Sequence, residues 1–188
     1  MISETDSKSS ISFCLYDTEF GVAAIAWTAK GICGHQLPEK DAQATEARLN
    51  SHFPTAKACK PPEEIVMLTR RLRRHLEGSV QDFSNVRLDL TGVPPFHTKI
   101  YQALQKIPTG QTVSYNDLAA LAGSPGAARA VGQAMAKNPI SVIVPCHRVL
   151  SASGDIGGFT AYGGLDTKRQ LLQYESALPA KCALTPIT

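Results

Sequence analysis

Near the start of the chain apolar residues fall in short runs broken by turn formers, and these runs predict three strands: Ile11–Tyr16, Gly21–Trp27 and Gly31–Leu37. The period then turns helical. Asp41–Phe53 reads as one helix. Pro61–Glu77 is a clearer one, with prolines at its start, Glu63 and Glu64 in its first turn and basic residues near its end. Ile65, Leu68, Leu72 and Leu76 keep helical spacing, while Arg70, Arg71, Arg73 and Arg74 lie largely off that stripe and read as a solvated face rather than a phosphate site.

Thr91-Gly92-Val93-Pro94-Pro95 breaks both periodicities and is the expected domain boundary. The expectation is an N-terminal α/β domain over 1–92, a second domain over 93–178 and a tail over 179–188. In the second domain Phe96, Ile100, Leu104 and Ile107 mark a helix that Pro108-Thr109-Gly110 ends. Ser114 caps a short helix with Asp117 in the capping-box position and Leu118 and Leu121 facing inward. Gly123-Ser124-Pro125-Gly126 then turns the chain into a helix over Ala127–Lys137. Ser141–Val144 reads as a short apolar strand and Leu165–Glu175 as a closing helix. The expected fold class is therefore an α/β N-terminal domain followed by a mostly α, helix-turn-helix (winged-helix-like) C-terminal domain. A helix-turn-helix can lay a helix on DNA, but helical hairpins are common and the unit alone does not establish that use.

At 188 residues with 43% hydrophobic and 19% charged positions, the chain can bury a core without staples. No apolar run reaches membrane-span length, and the opening MISETDSKSSIS lacks the apolar core of a secretory signal. Cys14, Cys33, Cys59, Cys146 and Cys182 are odd in number and irregular in spacing, unlike a disulfide framework or a C-x-x-C metal knuckle. These features predict a soluble cytoplasmic protein with reduced thiols. The net charge of +3 is unevenly spread: residues 1–92 carry 11 Lys/Arg against 12 Asp/Glu, and residues 93–188 carry 8 against 4, with Glu175 their one glutamate. A mildly basic second half permits a polyanionic partner without requiring one.

Two segments carry candidate chemistry. The helix G-A-A-R-A-V-G-Q-A-M-A (126–136) is built from small residues around one long cation, Arg129. Gly132 inside it costs about 1 kcal/mol relative to alanine. Either the helix packs very closely on a neighbour, or it enters something narrow; a B-DNA minor groove, about 6 Å wide, admits only such a helix. The second segment is Pro145-Cys146-His147-Arg148-Val149. A thiol beside an imidazole suits nucleophilic chemistry, because the thiolate is the reactive form. Adjacent side chains can equally point apart, leaving Cys146 a small core residue. Glu175 could orient an imidazole as the third member of a nucleophile–base–orienter set.

The blocks S-Y-N-D-L-A (114–119), G-A-A-R-A-V-G-Q-A-M (126–135), N-P (138–139), V-P-C-H-R-V (144–149) and G-G-L-D-T-K-R-Q-L-L-Q-Y-E (163–175) occur in order. Over residues 93–176 the chain resembles the C-terminal domain of the O6-alkylguanine-DNA alkyltransferases, or methylated-DNA–protein-cysteine methyltransferases. The resemblance implies DNA repair by irreversible, single-turnover transfer of an alkyl group from O6-alkylguanine, and from O4-alkylthymine, to Cys146. It implies a monomer whose partner is double-stranded DNA, with no membrane and no cofactor. Ser114, Tyr115, Ala127, Ala128, Arg129 and Gly132 would contact the minor groove, with Arg129 taking the flipped base's place in the stack. Tyr115 would donate to the guanine ring, His147 through a water and Glu175 would take the thiol proton, and Asn138 would brace the segment. The carbonyls of Cys146 and Val149 would accept from the guanine amino group.

Two departures qualify the resemblance. Gly158-Phe159-Thr160-Ala161-Tyr162-Gly163-Gly164 is two residues longer than the family's wing, so either Phe159 or Tyr162 takes the place of its pocket tyrosine. Cys14, Cys33, His35 and His75 do not fall at the positions of the zinc that some members carry, so no metal is expected. A turnover Cys-His hydrolase and a non-catalytic DNA-binding regulator are the alternatives. Repeated product release would mark the first, and binding indifferent to loss of Cys146 the second.

Overall fold

The computed structural model describes residues 10–176; the first nine residues, Cys182 and the expected 179–188 tail lie outside the described residues. β1 (Ser12–Thr18), β2 (Gly21–Thr28) and β3 (Gly31–Gln36) form an antiparallel meander, and β4 (Lys57–Ala58) joins β1 in parallel, giving the order β3-β2-β1-β4. The three expected strands are all present, their ends displaced by at most two residues. Alternation along β2 sends Ala24 and Ala26 to one face and Ile25 to the other. α1 (Ala42–His52), capped by Asp41, covers the alanine face through Leu49 and Phe53. Gly34 permits that approach, since a Cβ there would stand 2.5 Å from the Phe53 ring.

α2 (Glu63–Leu76) buries Ile65, Leu68, Leu72 and Leu76, as its spacing predicts, and adds His75 to them. Arg70, Arg73 and Arg74 are exposed; Arg71 lies 5.3 Å over the Phe83 ring and donates to the Asp82 carbonyl. The helical C-terminal region follows: α3 (Pro95–Gln105), α4 (Tyr115–Leu121), α5 (Ala128–Ala136) and α6 (Leu165–Tyr174), with β5 (Val113–Ser114) parallel to β6 (Val149–Leu150). One hydrophobic cluster runs from Ile25 of the sheet through Leu72 and Ile100 to Leu171, so both regions share a core. Among the described residues no helix is long and apolar enough to cross a membrane.

Three local expectations are corrected. Leu121 is 62% exposed, because α4 turns Ala122, four residues after Leu118, toward the core instead. Asp117 is too short to close a capping box on the backbone; its carboxylate accepts from the Ser114 hydroxyl at 2.7 Å, while that oxygen caps Asp117 N–H at 3.0 Å. Ser141–Val144 is a turn rather than a strand. β3 captures only its entry, with His35 N–H donating to Pro139 and Ser141 N–H to His35. The chain then folds back through Val144 N–H to the Ile140 carbonyl at 2.9 Å. Val142 takes φ 70°, strained for a β-branched residue, and burial of Val142, Ile143 and Val144 offsets a cost of about 1–3 kcal/mol.

His35 holds this turn from the sheet. Its Nδ1 donates to the Ser141 carbonyl at 2.6 Å and its Nε2 accepts from the Tyr16 hydroxyl at 2.6 Å. Burial lowers its pKa from 6.5 to about 4, against the smaller opposing effect of the Ser141 carbonyl. The unfolded chain therefore takes up this proton first, so stability is full above pH 6.5 and falls as the pH drops toward 4. His35 should account for a loss of about 3 kcal/mol over that window. Denaturant titrations at both ends of the window should show a flatter dependence in His35→Gln; an unchanged slope would assign the loss elsewhere.

Candidate active site

The β5–β6 pair places the reactive segment. Val113 pairs with Val149 and Ser114 with Leu150, so Tyr115, opening α4, is brought to the 3-10 turn Cys146–Arg148 that runs into β6. Cys146 is 9% exposed. Burial pushes its thiol pKa up, while the Asn138 side chain, the Lys168 ammonium and nearby backbone N–H groups pull the other way. The resting group is a neutral thiol that needs a base.

The hydrogen-bond pattern shows which nitrogen of the imidazole next in sequence is engaged and which is not. His147 Nε2 lies 2.9 Å from Glu175 Oε1. Burial opposes the Glu175 charge, but the hydrogen bonds from His147 and Arg148 and the close His75 imidazole overcome it and hold the carboxyl well below the usual carboxylate range. An ionised carboxylate only accepts, so Nε2 carries the proton and Nδ1 keeps its lone pair. That Nδ1 is fully buried without a hydrogen-bond partner among the described residues. Burial also keeps the imidazole below its ordinary pKa, with Glu175 opposing and Arg148 and His75 assisting. A neutral imidazole with a free, buried lone pair thus adjoins the thiol in sequence.

Arg148, absent from the expected set, grips Glu175 with Nε to Oε2 and Nη2 to Oε1, each at 2.8 Å. Its Nη1 donates to the Ile107 carbonyl at 2.5 Å and its Nη2 to Thr109 at 3.0 Å, tying the site to the chain leaving α3. His75, which in the sequence stands out only beside the zinc positions, has its Nε2 2.9 Å from Glu175 Oε1, near enough for a hydrogen bond but not aligned as one. Its place on the buried stripe of α2, three residues after Leu72, was the signal available. His75, His147 and Glu175 are the described residues close enough to share a metal ion. Arg148 already neutralises that carboxylate, so a divalent ion would crowd two cationic groups together.

Lys168 is the other group that sequence reasoning missed. Fully buried, its ammonium donates to the Val149 carbonyl at 2.7 Å and to the Gly157 carbonyl at 3.3 Å. Burial lowers its pKa to about 8, while the Cys146 thiolate would raise it. The Val149 carbonyl expected to meet the guanine amino group therefore has one lone pair engaged and a second open. Asn138 braces the reactive segment, donating to the Val144 carbonyl at 2.9 Å and accepting from Ile140 N–H at 3.0 Å.

The expected contact residues differ in how far they are exposed. Tyr115 is half-buried, and burial and Cys146 both raise its hydroxyl pKa. Gly157 leaves room for that hydroxyl, since a Cβ there would stand 3.1 Å away. Ser114 caps α4. On α5, Val131, Ala134 and Met135 are buried, Ala127, Ala128 and Gly132 are half-buried and Arg129 is exposed. A Cβ on Gly132 would meet only the Tyr115 ring at 3.9 Å, so internal packing does not demand glycine there. In the longer wing, Phe159 and Ala161 pack against the cluster containing Cys146, whereas Tyr162 is 56% exposed. Of the two alternatives for the pocket wall, Phe159 is the one facing inward.

Residues 95–177 match the family described as "6-O-methylguanine DNA methyltransferase, DNA binding domain", and together with the relatives this places the molecule in the class of DNA-repair alkyltransferases. The chain belongs to the methylated-DNA–protein-cysteine methyltransferase family. It is 46% identical over 115 residues to the methylated-DNA–protein-cysteine methyltransferase of Mycobacterium tuberculosis, spanning 61% of this chain and 67% of that one. It is 34% identical over 168 residues to the bifunctional transcriptional activator/DNA repair enzyme Ada of Escherichia coli, spanning 88% of this chain and 46% of that one. The crystal structure of Mycobacterium tuberculosis OGT in complex with DNA superposes with a TM-score of 0.70 at 33% identity, covering 90% of this chain and 96% of that one.

Proposed function

We propose that this protein repairs double-stranded DNA by transferring a methyl or other alkyl group from O6-alkylguanine, and from O4-alkylthymine, to Cys146. The observation that carries the reading is the unpartnered, buried Nδ1 of His147, the residue following a buried neutral thiol, with its other nitrogen on an ionised Glu175. His147 takes the thiol proton through a water, and the sulfur attacks the alkyl carbon. The S–C bond forms, the O6–C bond breaks and its electron pair returns to the purine. Tyr115 donates to the ring as that charge develops, and the thiol proton ends on the released guanine. The product is a thioether, with no activated carbonyl for water to attack, so each chain acts once. Incubation with duplex carrying a labelled methyl on guanine O6 tests the reading. Peptide mapping should find the label on the Cys146 peptide; label on Cys14, Cys33, Cys59 or Cys182, or repeated turnover, would overturn it.

The substrate is reached by minor-groove binding and base flipping, with α5 laid in the groove and Arg129 filling the gap in the stack. Flipping costs a few kcal/mol, least for a damaged base. Since nothing internal requires Gly132, Gly132→Ala should stabilise the fold by about 1 kcal/mol yet weaken duplex binding. Thermal unfolding and fluorescence anisotropy check the pair of effects, and tighter or unchanged binding would remove α5 from the groove. For the wall of the base pocket, Phe159→Ala should slow transfer from benzylguanine more than Tyr162→Ala does; the reverse order would give the wall to Tyr162. The protein acts as a monomer in the cytoplasm.

A further inference from the structure

The Glu175 carboxylate receives groups from both regions of the chain. His147 and Arg148 come from the reactive turn, and His75 comes from α2, beside the sheet. His75 is 1% exposed, and its surroundings fix its tautomer: Nδ1 accepts from Gln81 N–H at 3.2 Å, so the proton sits on Nε2, facing Glu175 Oε1 at 2.9 Å. The Phe83 ring packs edge-on against the imidazole at 5.3 Å, and Arg71 lies over that same ring. The charged and titratable groups around His75 are thus Glu175, His147 and Arg148 across the core and Arg71 on its own helix, with the Asp82 carboxylate beside Phe83. An ordinary core histidine is satisfied by backbone or solvent. This one stands with Nε2 2.9 Å from the oxygen that already orients the catalytic imidazole, and that nitrogen has no other partner among the described residues.

We propose that His75 is a positioning residue of the transfer reaction, a second imidazole that holds Glu175 Oε1 and so sets the orientation and basicity of His147. The proposal rests on the alkyl-transfer reading. Its physical content is a division of charge. Each donor on Oε1 draws negative charge from the carboxylate, and the less charge remains, the less strongly Glu175 favours a protonated His147. With His75 in place His147 stays neutral at lower pH, free to accept the thiol proton. Removing the donor raises the His147 pKa, so the base is blocked up to a higher pH.

His75→Leu should slow transfer to Cys146 by about tenfold, equally on duplex and on free O6-benzylguanine, because the defect lies in the proton path and not in DNA contact. The acid limb of its pH–rate profile should move up by about one pH unit. His75→Gln, whose amide can donate to Glu175 and accept from Gln81, should return the limb to its wild-type position. A purely structural role would lower the rate in step with thermal stability and leave the limb in place. In the unaltered protein, nitrogen NMR should find His75 protonated on Nε2, whatever the stability of the variants. If wild-type chain takes no label at Cys146, both this proposal and the alkyl-transfer reading fall. Label at Cys146 with an unshifted limb in His75→Leu, or a His75 proton on Nδ1, overturns the role of His75 alone.

Discussion

Cys146→Ala should abolish alkyl transfer and leave duplex binding intact, because Arg129 and the small face of α5 are untouched. In the unaltered protein, mass spectrometry after reaction should show one added alkyl group per chain, and excess alkylated duplex should remain unrepaired once every chain is modified. The expectation follows from the resting state of the thiol. Burial keeps Cys146 protonated, so on the proposed reading its reactivity depends on an acceptor for its proton, and His147, next in sequence, keeps a buried Nδ1 without a partner among the described residues. Cys33 illustrates the contrast: burial pushes its thiol up to about 12, and Asp89 adds to the effect. Glu175→Gln should slow transfer without ending it, since His147 remains and some thiolate forms unaided. Residual transfer in Cys146→Ala would show a second acceptor and break the single-acceptor account.

Arg148→Leu carries the largest expected loss of stability, about 3–5 kcal/mol, because it strands the buried Glu175 charge and frees the Ile107 carbonyl. At this chain length that corresponds to a fall in Tm of about 6–20 °C. Replacing both partners, Arg148→Leu with Glu175→Leu, should recover much of the stability while transfer stays impaired, since the penalty comes from an unpaired charge more than from the missing bond. Calorimetry of the three variants separates the cases. A single variant as stable as wild type would mean that water reaches Glu175 and solvates it.

What the sequence revealed and what it hid follow one physical division. Periodicity reports which residues face inward within one element, so the three strands of the sheet and the α2 stripe were legible. The reactive segment was legible because its motifs are local: Cys146, His147 and Asn138 lie within nine positions of one another. His75, Arg148 and Lys168 were not, since each acts through a long side chain reaching another element. A buried Lys168 reads in sequence as an ordinary solvated lysine on an amphipathic helix; only the Val149 and Gly157 carbonyls reveal its place. Ser141–Val144 misled for a related reason. An apolar run looks the same whether it extends along a sheet or folds into a tight turn, and the deciding contacts came from His35, more than a hundred residues earlier.

The attachment of that turn to β3 also bears on how the molecule keeps apart from its own copies. β3 is the outer strand of the meander, and an outer strand offers a row of unpaired backbone groups to any passing chain. Here Ile32 exchanges hydrogen bonds with Arg87 and Asp89, and His35 with Pro139 and Ser141. The opposite margin is β4, only two residues long. The polypeptide that presents the cysteine therefore doubles as a guard along one side of the sheet. A mutation that loosens it would open a template for strand addition as well as disturb the chemistry, making insolubility the first visible sign of damage at His35 or Pro139.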